Sequence, residues 1–228
     1  KNGAPMRKSF PVFDCDAHIN DPPEIWTQYV APKDRELVRQ SYWRDDQHTI
    51  VNGRSRSTAG GSNGDFSRYN PITISGPGMD RETKRRLQFV PLDEKKRDYL
   101  DHKGAYDAHQ RIKDLDLMGI DQVMIIPTGI VGGYAWVENV EGARALAKAY
   151  NNWAHDFCSV NTDRLHAAGW LPLQNPQFTI EELQRIARLG VRMALVRPID
   201  AQGNYPSQIN VFGPRGGWDK IFRNFEDT

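Results

Sequence analysis

Three polar residues at alternate positions near the N-terminus could together bind a cation. Asp14, Asp16 and His18 follow the apolar segment 10–13, which predicts a first strand. Because successive side chains of a strand point to opposite faces, these three would project on the same side. Burying a carboxylate and an imidazole without a partner is costly, and a divalent cation removes that cost. Such ligands suit Zn²⁺, Mn²⁺ or Fe²⁺, and the mixed set does not select one of them.

The same pattern has a plainer interpretation. Asp16 and His18 could simply hydrogen-bond to each other and to neighbouring loop amides, and an isolated Asp-x-His pair is more often of this kind. Their position after the first strand of a β/α series favours the metal site. Cys15 alternates away from Asp14 and Asp16, so we expect a buried small hydrophobic residue rather than a nucleophile.

From Ala105 onward, helical and strand patterns take turns along the chain. Apolar residues at helical spacing predict helices that end at Gly119 and Gly190, and Thr179 with Glu182 forms a possible capping box for the second of these. Short apolar runs predict strands at 122–126, 165–173 and 192–196, and further helical stripes span 141–160 and 218–225. With the first strand, this makes about four β/α units, which favour parallel strands and right-handed crossovers.

The predicted fold class is α/β, with about half of a β/α barrel in this chain. A doubly wound open sheet has the same periodicity, although no glycine-rich phosphate-binding motif supports it. The chain of 228 residues is short for a complete barrel, which typically needs roughly 250 residues. We therefore expect a single, incomplete barrel domain over 1–228.

A long segment at 32–103 interrupts the β/α rhythm and is predicted to be a lid-like insertion. Within it, Asn52-Gly53 is typical of a tight hairpin, because both turn positions must tolerate positive φ. Long loops at the carboxyl ends of barrel strands commonly cover the site, so this insertion could shape substrate choice.

Charge and composition exclude several classes of protein. The formal net charge is +1 and basic clusters are interleaved with acids, which argues against nucleic acid as a partner. No apolar run approaches the roughly 18 residues of a membrane span. Two distant cysteines without C-x-x-C spacing fit a reducing cytoplasm, where we expect the protein to be located.

The stretch 14–26, DCDAHINDPPEIW, resembles the opening of the amidohydrolase-2 branch of the amidohydrolase superfamily. That branch includes decarboxylases similar to aminocarboxymuconate-semialdehyde decarboxylase. Further matches follow in the order that the branch shows, at Arg111–Asp121, Ala149–Trp153, Asp163–Leu165 and Leu171–Pro176. The resemblance covers most of the chain outside 32–103. It implies a TIM-type (β/α)8 barrel, a divalent metal ion (Zn, Mn or Fe) and a small-molecule substrate, and we also expect a homo-oligomer.

The resemblance assigns two metal ligands within the chain. Asp16 and His18 match the His-x-His position after strand one, with Asp in place of the first His. Asp21 stands where many members of the branch have Glu, and could be a ligand, a partner of a ligand or a turn cap, of which we slightly favour a non-ligand role. The remaining ligands of the family, and the expected acid/base, would lie beyond Thr228. The resemblance thus implies that a longer chain, or a second chain, supplies the missing barrel half.

Three residues at predicted strand ends are candidates for substrate binding. These are Thr128, Asn175 and Arg197. The planar guanidinium of Arg197 could grip a substrate carboxylate, although an ion pair with Asp200 is at least as good an interpretation.

The function expected from these features is that of a metal-dependent hydrolase. A metal-activated water would cleave an ester, lactone, amide or related bond of a small organic substrate. The alternative is a metal-dependent, non-oxidative decarboxylase of an aromatic or enoic acid. A third hypothesis is a non-catalytic half-barrel interaction protein, against which the presence of both Asp16 and His18 argues.

Overall fold

The computed structural model describes residues 9–19, 24–44, 48–57, 103–128, 130, 134 and 137–196. Several predictions fall outside these ranges, including those for Asp21, Arg197, Asp200 and the helical stripe at 218–225. In chain order, the strands are β1 (Phe13–Ile19), β2 (Tyr42–Arg44), β3 (His48–Val51), β4 (Arg54–Ser57), β5 (Gln122–Pro127), β6 (Leu165–Trp170) and β7 (Met193–Leu195). The α-helices are α1 (Arg35–Ser41), α2 (Ala108–Met118), α3 (Val140–Cys158) and α4 (Pro176–Arg188). One turn of π-helix at Ile25–Tyr29 and two 3-10 turns, at Pro32–Asp34 and Lys103–Ala105, complete the described elements.

A four-stranded sheet in the order β1-β5-β6-β7 forms the centre of the described fold. Each neighbouring pair is parallel, and helices α2, α3 and α4 occupy the connections. Because the strand order follows the chain without reversal, the described sheet lacks the switch point of a doubly wound fold. The prediction of a parallel β/α series of barrel type is confirmed.

The helices form where the sequence places apolar residues on one face. In α3, Leu146, Tyr150, Trp153 and Phe157 are all buried, as their spacing predicts. Helix α2 ends at Gly119, whose φ is 69°, and Gly190, with φ 83°, follows α4. Both glycines adopt the left-handed conformation that ends helices, so the two predicted helix ends are confirmed. Among the helices of the described residues, none is long and apolar enough to cross a membrane.

The start of the predicted insertion contains a small second sheet. Strands β2, β3 and β4 pair antiparallel in that order, and the β3–β4 turn is Asn52-Gly53. The φ angles of Asn52 and Gly53 are 51° and 70°, as a type I′ hairpin requires. The hairpin prediction is confirmed, whereas the lid role of 32–103 stays a prediction.

Three predicted boundaries are wrong, and one of them is the end of the strand predicted at 165–173, because β6 ends at Trp170. The first strand spans Phe13–Ile19 rather than 10–13, so the three polar residues lie within it, because parallel pairing with β5 continues to Ile19. Helix α4 begins at Pro176, with Asn175 as its cap, rather than at Thr179. The predicted capping box is absent because Thr179 is buried inside the helix and donates its hydroxyl to the carbonyl oxygen of Pro172 at 2.9 Å.

Candidate metal centre

Asp16 and His18 lie in the second half of β1, next to an irregularity in the strand. The register with β5 shifts between Asp14 and Ala17, and the Asp16 backbone N–H donates to Asp14 Oδ1 at 2.9 Å. Asp14 Oδ1 therefore stabilises the irregular backbone of the strand at this point. The structure brings the side chains of Asp16 and His18 together at this point.

The Asp16–His18 pair is in contact and open to solvent. Asp16 Oδ1 lies 3.1 Å from His18 Nε2, and the two side chains are 77% and 50% exposed, respectively. A distance of 3.1 Å fits a hydrogen bond when Nε2 carries a proton. It also fits two neighbouring ligands of one cation, since bonds of about 2.1 Å at right angles separate ligand atoms by about 3.0 Å. The donor atoms, carboxylate oxygen and imidazole nitrogen, suit a divalent metal ion.

Thr128 contacts the other side of the imidazole. It follows the end of β5, and the pairing of His18 with Ile126 and of Ile19 with Pro127 brings it beside the end of β1. Its Oγ1 lies 3.2 Å from His18 Nδ1 and donates a hydrogen bond to the carbonyl oxygen of Ile19 at 2.5 Å. The predicted substrate residue Thr128 is therefore in direct contact with the predicted ligand His18.

Arg111 holds the backbone of His18. Its Nη2 donates to the His18 carbonyl oxygen at 2.6 Å, from the first turns of α2. Burial lowers the pKa of this guanidinium, and the charges of Asp114 and Asp14 partly offset that effect. Sequence reasoning noted Arg111 only as part of the matching segment 111–121. An arginine side chain within an amphipathic helix does not by itself indicate that it will bind a carbonyl oxygen 93 residues away in the sequence.

The other two predicted substrate residues do not join this pair in the described structure. Asn175 caps α4, because its Oδ1 accepts hydrogen bonds from the backbone N–H groups of Gln177 and Phe178 at 2.9 and 3.2 Å. Arg197 lies outside the described residues. Substrate binding by either residue stays a prediction.

The prediction that Cys15 is buried is wrong, because its side chain is exposed. The strand irregularity between Asp14 and Ala17 interrupts strict alternation, and β1 lies at the edge of the described sheet. No group of three or more His, Cys, Asp or Glu side chains placed to hold a metal ion occurs within the described ranges. The described residues therefore supply part of a coordination sphere at most.

The parallel β/α fold is similar to that of two solved structures. One is an amidohydrolase from Mycobacterium avium subsp. paratuberculosis K-10, with a TM-score of 0.62 and 17% identity over 88% of this chain and 54% of that chain. The other is 5-carboxyvanillate decarboxylase from Novosphingobium aromaticivorans DSM 12444, with a TM-score of 0.52 and 19% identity over 96% of this chain and 48% of that chain. That decarboxylase was crystallised with manganese and 4-hydroxy-3-methoxy-5-nitrobenzoic acid.

These likenesses confirm the fold class that the sequence predicts, namely part of a TIM-type β/α barrel. The chain spans about half the length of the two solved chains. No protein-family model and no curated protein sequence matches it.

Proposed function

We propose that the protein is a metal-dependent enzyme of the amidohydrolase superfamily and that Asp16 and His18 bind its divalent cation. The observation that supports this most directly is the 3.1 Å approach of a carboxylate oxygen to an imidazole nitrogen in β1, in a barrel fold shared with a manganese-bound decarboxylase. Two protein ligands hold a divalent ion weakly. We propose that the remaining ligands and the acid/base come from outside the described residues, for example from a longer chain or a second chain.

The proposed cation is a zinc, manganese or iron ion. The donor set suits all three ions, and manganese is the ion bound in the decarboxylase neighbour. When bound, the cation would polarise a substrate oxygen or lower the pKa of a water molecule. Within this chain, Asp16 and His18 would hold it, while Thr128 and Arg111 fix the position of His18.

Two reaction types are proposed on this site. The first is hydrolysis of an ester, lactone, amide or related bond, which the amidohydrolase neighbour supports. The second is non-oxidative decarboxylation of an aromatic or enoic acid, which the 5-carboxyvanillate decarboxylase neighbour supports. The segment 32–103 is proposed to act as a lid, and the two free thiols fit a reducing, cytoplasmic environment.

Metal titration of the intact protein tests the assignment of the ligands. We expect Mn²⁺ or Zn²⁺ binding, followed by calorimetry, to weaken at least about tenfold in both Asp16→Ala and His18→Ala, since each removes a direct ligand. His166→Gln is the matched control, because this imidazole lies in β6 and bonds to Gln122 rather than to Asp16. Equal metal affinity in the wild type and in both alanine variants would exclude this pair as the ligands.

The reaction type is tested with the metal-loaded protein. Release of CO₂ from hydroxylated aromatic acids would support the decarboxylase, and cleavage of simple esters, lactones or amides would support the hydrolase. A folded, metal-loaded protein without either activity would favour the non-catalytic interaction protein.

A further inference from the structure

We propose that Asn52 and Gln174 form a clamp that holds the connection between β5 and α3 from two sides and couples it to the hairpin of the insertion. The described residues of this connection after Thr128 are Ile130, Tyr134 and 137–139. The connection begins at Thr128, which contacts His18, so the clamp positions a segment beside the candidate metal centre. The clamp itself does not depend on the proposed function.

On one side of the connection, Gln174 holds Tyr134. Gln174 follows β6, and its Nε2 donates to the carbonyl oxygen of Tyr134 at 3.0 Å. The Val137 N–H donates to the same oxygen at 3.1 Å. The other amide atom, Gln174 Oε1, is buried and has no hydrogen-bond partner among the described residues. A buried acceptor without a partner has a cost, but the opposite orientation of the amide would place two oxygens against each other, so the bond to Tyr134 determines the orientation.

On the other side, Asn52 holds Glu138. Asn52 Oδ1 accepts a hydrogen bond from the Glu138 backbone N–H at 3.0 Å, across 86 residues of sequence. Asn52 lies at the tip of the β3–β4 hairpin, where its φ of 51° requires a residue that tolerates the left-handed conformation. Asparagine and aspartate combine that tolerance with a short side-chain acceptor. Asn52 therefore serves both the turn and the contact with Glu138.

The hairpin is itself fixed to the body of the protein. The backbone N–H of Asn52 donates to the carbonyl oxygen of Ser41, the last residue of α1, at 2.9 Å. Ser41 lies so close to α3 that a side chain at Gly142 would collide with its hydroxyl. Movement of the hairpin tip relative to α3 would break these contacts. The hairpin is therefore a fixed root of the insertion.

Two supports on one short connection make its contacts interdependent. The Gln174 and Asn52 side chains bind backbone groups of Tyr134 and Glu138, which are four residues apart. Loss of either support allows the connection to move, and the contact on the other side should then weaken. Coupling between two sites is reciprocal, so the effect must appear in both directions. Two independent structural hydrogen bonds would show no such cross-effect.

Amide hydrogen exchange of the intact protein, followed by NMR, tests the coupling. Each variant is measured at an N–H group that bonds to neither of the side-chain atoms it removes. We expect Gln174→Met to accelerate exchange of the Glu138 N–H, and Asn52→Gly to accelerate exchange of the Val137 N–H, by about fivefold each. Glycine keeps the type I′ turn and removes only the acceptor. Gln174→Met should leave the denaturation midpoint nearly unchanged, since it removes the unpaired buried oxygen together with the donor.

Two variants serve as matched controls. Asn52→Asp keeps the acceptor and the turn, so exchange of the Val137 N–H should stay at the wild-type rate. Gln177→Met removes an exposed glutamine that bonds to Glu181 within α4. It should change exchange of neither the Val137 nor the Glu138 N–H.

Unchanged exchange at the distant N–H group in either Gln174→Met or Asn52→Gly would overturn the clamp. If Gln174→Met does not fold, exchange of the Val137 N–H in Asn52→Gly, compared with Asn52→Asp, still decides. The measurement is made without metal, so its result is independent of whether Asp16 and His18 bind a cation.

Discussion

The two cysteines lie in opposite environments, which gives them different reactivities. Cys15 is exposed on β1, and Cys158 is buried at the end of α3. Burial raises the pKa of the Cys158 thiol to about 12, although the nearby charge of Arg111 acts in the opposite direction. Because the thiolate is the reactive form, Cys158 is protected both by its protonation and by the surrounding side chains.

Thiol labelling tests this difference. At about pH 8, we expect an alkylating reagent to modify Cys15 in the folded protein and to reach Cys158 only after denaturation. Peptide mass spectrometry assigns the modified residue. Cys15→Ser should abolish the rapid labelling within this chain, and Cys158→Ser should not change it. Rapid modification of Cys158 in the folded Cys15→Ser protein would contradict the burial and the raised pKa.

The surroundings of His18 show what single-residue patterns can and cannot predict. The spacing of Asp16 and His18 predicts their proximity, because strand geometry relates positions two apart. The contacts of His18 with Arg111 and Thr128 span 93 and 110 residues and depend on the register between β1 and β5. The sequence predicts that Thr128 lies at the end of a strand, but it contains no local indication that Thr128 contacts His18.

At the scale of an element, Asn175 defines the start of α4. Its side chain accepts from two of the first backbone N–H groups, and Pro176 occupies the first helical position, where its missing N–H has no cost. Thr179 and Glu182 have the spacing of a capping box, but their side chains bond elsewhere in the structure. The true cap and the competing pattern lie only four residues apart, and periodicity alone cannot choose between them.

Removal of this helix cap should lower the stability of the protein modestly. We expect Asn175→Ala to lower the free energy of unfolding by about 1 kcal/mol, because two helix N–H groups lose their acceptor. Denaturant unfolding measures the change, and Asn175→Asp should retain most of the stability. If Asn175 also binds substrate, as the sequence predicts, Asn175→Asp would change KM while leaving stability intact. An unchanged free energy of unfolding in Asn175→Ala would contradict the capping role.

The extent of β1 shows why some element boundaries could not be predicted. Polar residues at 14, 16 and 18 look like the end of a strand, yet pairing with β5 extends the strand to Ile19. The two strands are more than 100 residues apart in the sequence, so the pattern around β1 alone cannot show how far their pairing extends. In contrast, the ends at Gly119 and Gly190 depend on local backbone conformation, and the sequence predicted both.

At the scale of the whole molecule, a buried polar network joins the sheet to two helices. Asn151 of α3 binds both backbone groups of Trp170 at the end of β6, accepting from its N–H at 2.6 Å and donating to its carbonyl at 2.9 Å. Asn151 also donates to Glu182 of α4 at 2.7 Å, and Arg185 donates two hydrogen bonds to the same carboxylate. The network fixes the relative positions of α3, α4 and β6.

The general architecture was predictable because alternating helix and strand periods restrict the chain to parallel β/α arrangements. The polar network was not, since Asn151 and Glu182 follow no apolar period and are 1% and 2% exposed. A residue of either type is usually found at the surface, so composition argues against its burial. Only the three-dimensional arrangement shows that each has its partners.

Glu182 should therefore be more important for stability than an ordinary surface glutamate. Glu182→Leu leaves the buried amide of Asn151 without one acceptor and Arg185 without its carboxylate, so we expect a loss of about 3 kcal/mol in the free energy of unfolding. Glu181→Leu is the matched control. Glu181 pairs with Arg144 but is 43% exposed, and its loss should cost less than about 1 kcal/mol.

A double variant separates the unpaired charge from the loss of packing. Adding Arg185→Leu to Glu182→Leu removes the cation that has lost its partner, and should recover part of the lost stability. Amide hydrogen exchange of Trp170 gives a second measurement, because its N–H is bonded to Asn151, which Glu182 holds in place. Exchange should accelerate in Glu182→Leu and not in Glu181→Leu. Equal stability losses in the two single variants, with unchanged exchange at Trp170, would show that the network does not stabilise the junction of β6, α3 and α4.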